Sequence, residues 1–288
     1  MKIIIGKTAG FCYGVKRAVD GSIKQLENNN GQEIYCLGEL VHNKQVVTEL
    51  KEKGIKFIEN INEVKNKDSK VIIRAHGIEK NIYKKAEKQK IDLIDYTCPN
   101  VLRIHKIAEN YEKQGYYIFL TGTENHPETI GIISCCGKNL SLIENEEDIE
   151  KAIKDFEKSN IKKLLVISQT TYSIKKFENV KKIIEKQIPK NIELVIKNTI
   201  CLATEQRQKD TKELSTKVDM MIIIGGKNSS NTKKLYEIAS ENCKNTICIE
   251  TKKELNKEQY ANIEKIGIMA GASTPQKSID EVVKFLSE

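Results

Sequence analysis

The 288-residue sequence lacks any long apolar run that a membrane-spanning helix would require. A span needs roughly 20 predominantly apolar residues, and no segment approaches that length. The apolar run at residues 3–5 meets Gly6 too early to form the apolar part of a secretory signal. We therefore expect a cytoplasmic protein with no membrane partner.

Arginine is scarce, because the 48 basic residues comprise four arginines and 44 lysines in a chain of net charge +8. Proteins that read nucleic acid usually gather arginine for bidentate contacts with bases and phosphates. Lysines scattered among asparagine and glutamate are typical of solvated helix faces. The composition argues against a nucleic-acid partner, while the net charge still favours small anions.

Paired cysteine motifs are also absent, since none of the eight cysteines belongs to a C-x-x-C sequence. Zinc fingers and ferredoxin-type clusters with local spacing are thereby disfavoured. In a reducing compartment the cysteines are not expected to form disulfides. Any metal site must therefore combine cysteines from distant parts of the chain.

Short apolar runs with glycine or polar ends alternate with helical stretches along the whole sequence. This alternation predicts an α/β fold with mainly parallel strands. In such folds the side chains that carry chemistry gather at the carboxyl ends of the strands. The strand ends are therefore the places to search for functional residues.

Rare residues recur at these strand ends with nearly constant spacing. Three apolar runs each end in a cysteine that precedes a helical stretch, at Cys12, Cys98 and Cys201. A polar turn follows each cysteine after 30, 28 and 28 residues, at His42, His126 and Ser229. A second polar turn follows later in each copy, at His76, Thr170 and Ser273. The sequence thus contains three copies of one α/β unit.

The third copy is completed circularly, because its cysteine-bearing strand stands at the N-terminus, ahead of the first copy. We therefore predict three domains: residues 15–98, residues 99–200, and residues 1–14 together with 201–288. Three similar domains with small, mainly parallel sheets could be arranged with pseudo-threefold symmetry around one central cluster site. That arrangement would bring three thiolates, histidines, hydroxyls and a carboxylate to a single cavity.

Three cysteines recur at equivalent positions, and no fourth cysteine occupies such a position. Two alternative kinds of metal centre are compatible with this set. One is a 4Fe-4S cluster with three cysteine ligands and one iron free of protein ligands. The other is a tetrahedral zinc site in which His126 or His42 supplies the fourth ligand. The remaining cysteines, like His105, are interpreted as structural residues: Cys36, Cys135, Cys136, Cys243 and Cys248.

The motifs at these positions are, in chain order, G-F-C-Y-G-V, L-V-H-N, R-A-H-G, T-C-P-N-V, N-H-P-E, S-Q-T-T, K-N-S-S-N and A-G-A-S. Together they resemble the motifs of the 4-hydroxy-3-methylbut-2-enyl diphosphate reductase (LytB/IspH) family. The resemblance spans nearly the whole chain. It implies an iron-sulfur oxidoreductase that performs the last step of the non-mevalonate isoprenoid pathway.

The resemblance also implies a role for each residue. Cys12, Cys98 and Cys201 would hold the 4Fe-4S cluster, whose open iron would take the allylic hydroxyl of the substrate. The diphosphate would be bound by His42, His76, His126, Ser229, Ser230, Asn231 and Ser273. Glu128, with Thr170 beside it, would deliver the proton with which the hydroxyl leaves as water. A ferredoxin or flavodoxin would supply electrons, and the products would be isopentenyl and dimethylallyl diphosphate.

Two other functions remain open at this point. A non-redox iron-sulfur dehydratase would use the open iron to expel water and would need no electron donor. A metal or redox sensor would hold a cluster without catalysis and would not depend on Glu128.

Overall fold

The computed structural model of the chain describes residues 1–66, 68–260 and 262–288. Within these ranges the strands are β1 (Lys2–Ile5), β2 (Ile34–Leu37), β3 (Lys56–Ile58), β4 (Lys70–Ile73), β5 (Asp92–Asp95), β6 (Tyr117–Thr121), β7 (Leu140–Ile143), β8 (Lys163–Ser168), β9 (Glu193–Ile196), β10 (Met220–Ile224), β11 (Thr246–Ile249) and β12 (Lys265–Ala270). No helix in the described ranges is both long enough and apolar enough to span a membrane.

The strands alternate with helices, as the sequence predicts. The α-helices are α1 (Tyr13–Glu27), α2 (Lys44–Glu52), α3 (Lys80–Gln89), α4 (Pro99–Lys113), α5 (Pro127–Ile133), α6 (Glu147–Lys158), α7 (Ile174–Gln187), α8 (Leu202–Ser215), α9 (Ser230–Asn242) and α10 (Gln276–Ser287). Short 3₁₀ helices cover Ile61–Glu63, Lys252–Glu254 and Lys257–Gln259.

Three four-stranded parallel sheets confirm the predicted α/β class. Their strand orders are β3-β2-β4-β5, β7-β6-β8-β9 and β11-β10-β12-β1. In each sheet the strand that leads to Cys98, Cys201 or Cys12 is an edge strand. When that strand is placed last, equivalent strands of the three copies follow one another in the same order. In the third sheet that strand is β1, which pairs in parallel with β12 from Lys2 opposite Lys265 to Ile5 opposite Ile268. The N-terminal strand therefore completes the third sheet.

A glycine directly after the second strand in each order marks the same point in all three sheets. The amides of Gly38, Gly122 and Gly225 donate to the last residue of the neighbouring edge strand, over 2.7, 3.1 and 2.9 Å respectively. Gly38 has φ +69°, and Gly225 has φ +158°. A Cβ at Gly225 would lie 2.5 Å from the Thr232 hydroxyl oxygen. Glycine therefore lets the chain leave the sheet close to its neighbours.

Apolar side chains cover both faces of the sheets, as expected of parallel strands. In the β7-β6-β8-β9 sheet, Phe119 and Val166 pack with Phe156 on one face. Leu120 packs with Ile104 on the other face. Each side chain of this size contributes about 1.5–3 kcal/mol when fully buried. The two faces thus anchor the strands whose ends carry the polar turns.

The chain divides into two compact units by its internal contacts. One consists of residues 1–27, 39–55 and 202–288, and the other of residues 28–38 and 56–201. The first unit therefore contains α1 and α2 together with the β11-β10-β12-β1 sheet, and the second contains the other two sheets. Each sheet takes its strands from one of the three predicted domains, whose boundaries stay a prediction.

Candidate active site

The three predicted metal ligands, Cys12, Cys98 and Cys201, occupy equivalent places at helix starts. Each cysteine directly precedes the first residue of a helix, namely α1, α4 and α8. Each is partly exposed and is a thiol rather than half of a disulfide. Cysteine sulfur is a ligand of zinc sites and of iron-sulfur clusters. The local setting therefore suits metal ligation at all three positions.

A backbone hydrogen bond fixes each of these cysteines to the turn that follows the neighbouring strand of its own sheet. The amide of Cys12 donates to Ala272, that of Cys98 to Ala75, and that of Cys201 to Thr170, over 3.1, 2.9 and 3.1 Å. Each acceptor lies two residues after the end of its strand. Thr170 is therefore equivalent to Ala75 and Ala272. The sequence spacing instead aligns Thr170 with the next residues, His76 and Ser273.

The other five cysteines lie in or against apolar cores, as the sequence predicts. Cys36 and Cys243 are buried, and Cys135, Cys136 and Cys248 are half-buried against core clusters. Burial raises the pKa of Cys36 and of Cys136 to about 12. A thiol with so high a pKa is a poor metal ligand at neutral pH.

The first polar turns also occupy equivalent positions. His42, His126 and Ser229 each lie five residues after the end of a strand. His126 and Ser229 are the N-cap residues of α5 and α9, and their side chains accept backbone amides of Glu128 and Thr232. For α2 the N-cap is Asn43, which accepts from Val46 over 3.2 Å. His42 therefore precedes its cap and is not used to cap the helix.

Asn231 is the most unusual polar residue of the first compact unit. It is the second residue of α9, only 3% of it is exposed, and neither of its side-chain amide atoms has a hydrogen-bond partner among the described residues. A buried amide without partners destabilises a protein by about 1–3 kcal/mol. Its position at a helix N-terminus that begins Ser229-Ser230 suits an anion such as phosphate.

The turn that carries His42 packs against the same region of the first unit. The Ser273 hydroxyl donates to the His42 carbonyl over 3.0 Å. A Cβ at Gly226 would lie 2.4 Å from that carbonyl oxygen, so only glycine fits there. The Ser229 amide donates to the Gly226 carbonyl over 2.9 Å. Backbone contacts thus bring together the turns of His42, Ser229 and Ser273, three of the predicted diphosphate-binding residues.

Glu128 is the corresponding residue of the second compact unit, because it is the second residue of α5. Only 1% of it is exposed. Its carboxylate accepts the backbone amide and the hydroxyl of Thr170, each over 2.6 Å. Burial raises its pKa to about 7, although the two hydrogen bonds from Thr170 lower it. At neutral pH this carboxyl can therefore hold or release a proton.

His76 and His126 meet beside this carboxyl-bearing helix. Their rings are 5.4 Å apart between centroids in an edge-to-face arrangement. His105 lies behind them on α4, where a Cβ at Gly77 or Gly131 would contact its ring at 3.3 or 3.1 Å. Burial lowers the pKa of His105. It packs between the His76 turn and α5, which agrees with the structural role expected from the sequence.

Gln169 is a residue of this region that sequence reasoning did not single out, although it belongs to the S-Q-T-T motif. It is fully buried. Its side-chain oxygen accepts the Thr123 amide over 3.0 Å, and its side-chain nitrogen donates to the Thr171 hydroxyl over 3.0 Å. It therefore joins the turn before His126 to the turn that contains Thr170. Burial is what distinguishes Gln169 from an ordinary polar residue, and the sequence alone does not show that a polar side chain is buried.

The fold is α/β, and its polar strand ends carry thiols, a helix start suited to an anion and a buried carboxyl. A family model described as LytB protein matches residues 3–287. The chain therefore belongs to the LytB family, and it is an oxidoreductase. This finding confirms the resemblance seen in the sequence motifs.

Similar proteins carry names that agree with this family. A protein of Alkaliphilus oremlandii named 4-hydroxy-3-methylbut-2-enyl diphosphate reductase is 42% identical, with 98% of each chain covered. A solved structure titled as the same reductase, the terminal enzyme of the non-mevalonate pathway, is 39% identical with TM-score 0.71 and covers 100% of this chain and 99% of its own. A reductase structure from Plasmodium falciparum is 31% identical with TM-score 0.91, covering 100% of this chain and 88% of its own.

Proposed function

We propose that the chain reduces 4-hydroxy-3-methylbut-2-enyl diphosphate to isopentenyl and dimethylallyl diphosphate. The reaction consumes two electrons and two protons, breaks the allylic C–O bond and releases water. The observation that carries the proposal is the buried carboxyl of Glu128, whose pKa of about 7 leaves a proton available at neutral pH. The names of the similar proteins support the choice of substrate.

Cys12, Cys98 and Cys201 would hold a 4Fe-4S cluster. Their fit rests on the donor set, which is three thiols at helix starts, each held by the same backbone hydrogen bond. A fourth cysteine in this setting is absent from the described residues, so one iron would have no cysteine ligand. When bound, the cluster would relay the two electrons one at a time and give Lewis-acid assistance to the leaving hydroxyl.

The diphosphate would be bound by hydroxyl, amide and imidazole donors. Ser229 and Ser230 stand at the N-terminus of α9, and the amide of Asn231 is buried there without a partner. A bound phosphate oxygen would accept the hydrogen bond that this amide lacks. The other donors assigned to the diphosphate are His42, His76, His126 and Ser273.

Glu128 would act as the general acid. The hydroxyl and amide of Thr170 hold its carboxyl in one orientation, and its backbone amide donates to the His126 ring over 3.1 Å. The start of a helix favours an ionised carboxylate, but burial raises the pKa enough to keep the acid partly protonated at neutral pH. Protonation of the departing hydroxyl makes water the leaving group.

Electrons would come from a ferredoxin or flavodoxin, and the reducing compartment would be the cytoplasm. The high lysine content favours an acidic small carrier of this kind, since opposite charges raise association rates. Raising the ionic strength should therefore slow reduction by the carrier. A reduction rate independent of salt would contradict this electrostatic guidance.

Anaerobic purification followed by turnover assays would test the proposed function. We expect a brown protein with four irons per chain that converts the allylic diphosphate only when a strong one-electron reductant is present. Conversion without reductant would instead indicate a non-redox dehydratase. A cluster-containing protein that neither binds nor converts the diphosphate would indicate a sensor. A colourless, iron-free protein with full activity would overturn the proposal.

A further inference from the structure

The segment between β1 and Cys12 is the longest of the three segments that lead from a strand to a predicted metal ligand. Six residues, 6–11, separate Cys12 from its strand, compared with two before Cys98 and four before Cys201. The segment includes Gly10, whose φ is +98°. Longer connections lose more conformational entropy when they are fixed. A fixed position for Cys12 therefore needs additional contacts.

Helix α8 supplies these contacts through two charged side chains on one face. The Arg207 guanidinium donates to the carbonyls of Thr8 and Gly10 over 2.9 and 2.7 Å. The Asp210 carboxylate accepts the amide and the hydroxyl of Thr8 over 2.8 and 2.9 Å. Four hydrogen bonds thus bind the middle of the segment to α8, which begins directly after Cys201.

Arg207 is also a buried charge near Cys12. Only 3% of it is exposed, and a guanidinium stays protonated at any physiological pH. Its two acceptors in the segment are neutral carbonyls, the nearer of which is two residues before Cys12. A buried charge acts on its surroundings more strongly than an exposed one, because water screens it less.

We propose that Arg207 is a positioning residue for Cys12 and that its charge favours the reduced form of the cluster. The proposal rests on the proposed function, in which Cys12 is a cluster ligand. Reduction adds one electron and hence one negative charge to the cluster. A fixed positive charge nearby stabilises that added negative charge and raises the reduction potential. Asp210 contributes by holding Thr8.

The test compares Arg207→Gln with Arg103→Gln in the full-length protein. Arg103 is an exposed arginine near the start of α4, the helix that follows Cys98, so its substitution removes the same charge from an equivalent helix. Redox titration of the reconstituted protein should show a fall of at least tenfold in the reduced-to-oxidised ratio for Arg207→Gln, about 59 mV for one electron. In Arg103→Gln the reduction potential should change by less than a third of that amount.

A second readout uses the iron-free protein and needs no activity. Labelling of Cys12 by iodoacetamide, mapped by mass spectrometry, should be several-fold faster in Arg207→Gln than in the wild type and in Arg103→Gln. Arg207→Lys keeps the charge but loses the two-carbonyl contact, so it should accelerate labelling while largely preserving the potential. Asp210→Asn should accelerate labelling by a smaller factor. It replaces Arg207→Gln as the test variant if Arg207→Gln does not fold.

The outcomes separate this proposal from the proposed function. A wild-type protein that holds no cluster overturns the function, and the labelling rates then still decide whether Arg207 positions Cys12. A wild-type cluster together with unchanged potential and unchanged Cys12 labelling in folded Arg207→Gln overturns the role of Arg207 alone.

Discussion

Glu128 and Asn231 occupy the same position in two copies of the repeat but differ in their chemistry. Each is the second residue of a helix that follows a polar turn, and each is almost fully buried. The Glu128 carboxylate has two hydrogen bonds from Thr170, whereas the Asn231 amide has no partner in the described part of the chain. One side chain is therefore hydrogen-bonded within the protein, and the other is the one that the proposed function assigns to the diphosphate.

This difference shows how a repeated scaffold can support two tasks. The helix start supplies an equivalent electrostatic setting in both copies. Under the proposed function, the side chain and its partners would then decide whether the position holds a proton or donates hydrogen bonds to a phosphate.

Replacing Glu128 by Gln should remove most of the turnover. General acid catalysis contributes typically 10²–10⁴-fold, and we expect a loss in kcat of about this size with the substrate affinity and cluster content retained. Glu124→Gln is the matched control, because Glu124 is an exposed acid in the same turn. Steady-state kinetics measure the effect, and near-normal kcat in Glu128→Gln would refute the proton role.

The ionisation of Glu128 should also make stability depend on pH. Its pKa rises from 4.5 to about 7 on folding, so the folded state binds more protons than the unfolded state between these values. The free energy of unfolding should therefore fall as pH rises from 4.5 to 7, by on the order of 3 kcal/mol. Denaturant titrations of wild type and Glu128→Gln at pH 4.5 and 8 should isolate this dependence. Parallel changes in the two proteins would contradict it.

Replacing Asn231 by Ala should weaken substrate binding and leave the chemistry largely intact. A hydrogen bond to a charged group contributes about 1.5–3 kcal/mol, so KM should rise roughly 10- to 100-fold with a much smaller change in kcat. Asn231→Asp should raise KM further, because a carboxylate repels the diphosphate. A fall in kcat at unchanged KM would assign Asn231 to the chemical step instead.

The smallest predicted effect concerns the stability of the substrate-free protein. Asn231→Leu should leave Tm unchanged or raise it, since the amide atoms have no partners to lose. Gln169→Leu should lower the stability by about 1–3 kcal/mol, because it leaves the buried Thr123 amide without its acceptor. Equal losses in both variants, measured by thermal unfolding without substrate, would show that Asn231 has a structural partner.

Much of the fold was predictable because rare residues mark the strand ends. The spacing from Cys12, Cys98 and Cys201 to the next polar turns identified three copies, and the observed sheets have one strand order. The missing strand of the third copy indicated that residues 1–14 belong with the C-terminal part. In the structure β1 pairs in parallel with β12, while the domain boundaries stay a prediction.

The contacts between these elements were less predictable, because they depend on loop lengths and on burial. The spacing aligned Thr170 with His76 and Ser273, whereas the backbone bonds align it with Ala75 and Ala272. Arg207 looks like an ordinary residue of a polar helix in the sequence, and its burial follows only from the segment packed against α8. No local feature of the sequence indicates that α1 and α2 belong to the first compact unit.

The pairing of β1 with β12 has a consequence for biosynthesis. Lys2 pairs with Lys265, so the first strand leaves the ribosome long before its partner has been made. At about 5–20 residues per second this delay amounts to roughly 13–50 s. The nascent segment around Cys12 lacks α8 for most of that interval and lacks β12 until its end. If Cys12 is a cluster ligand, as proposed, insertion of the cluster would therefore be among the last events in the maturation of each molecule.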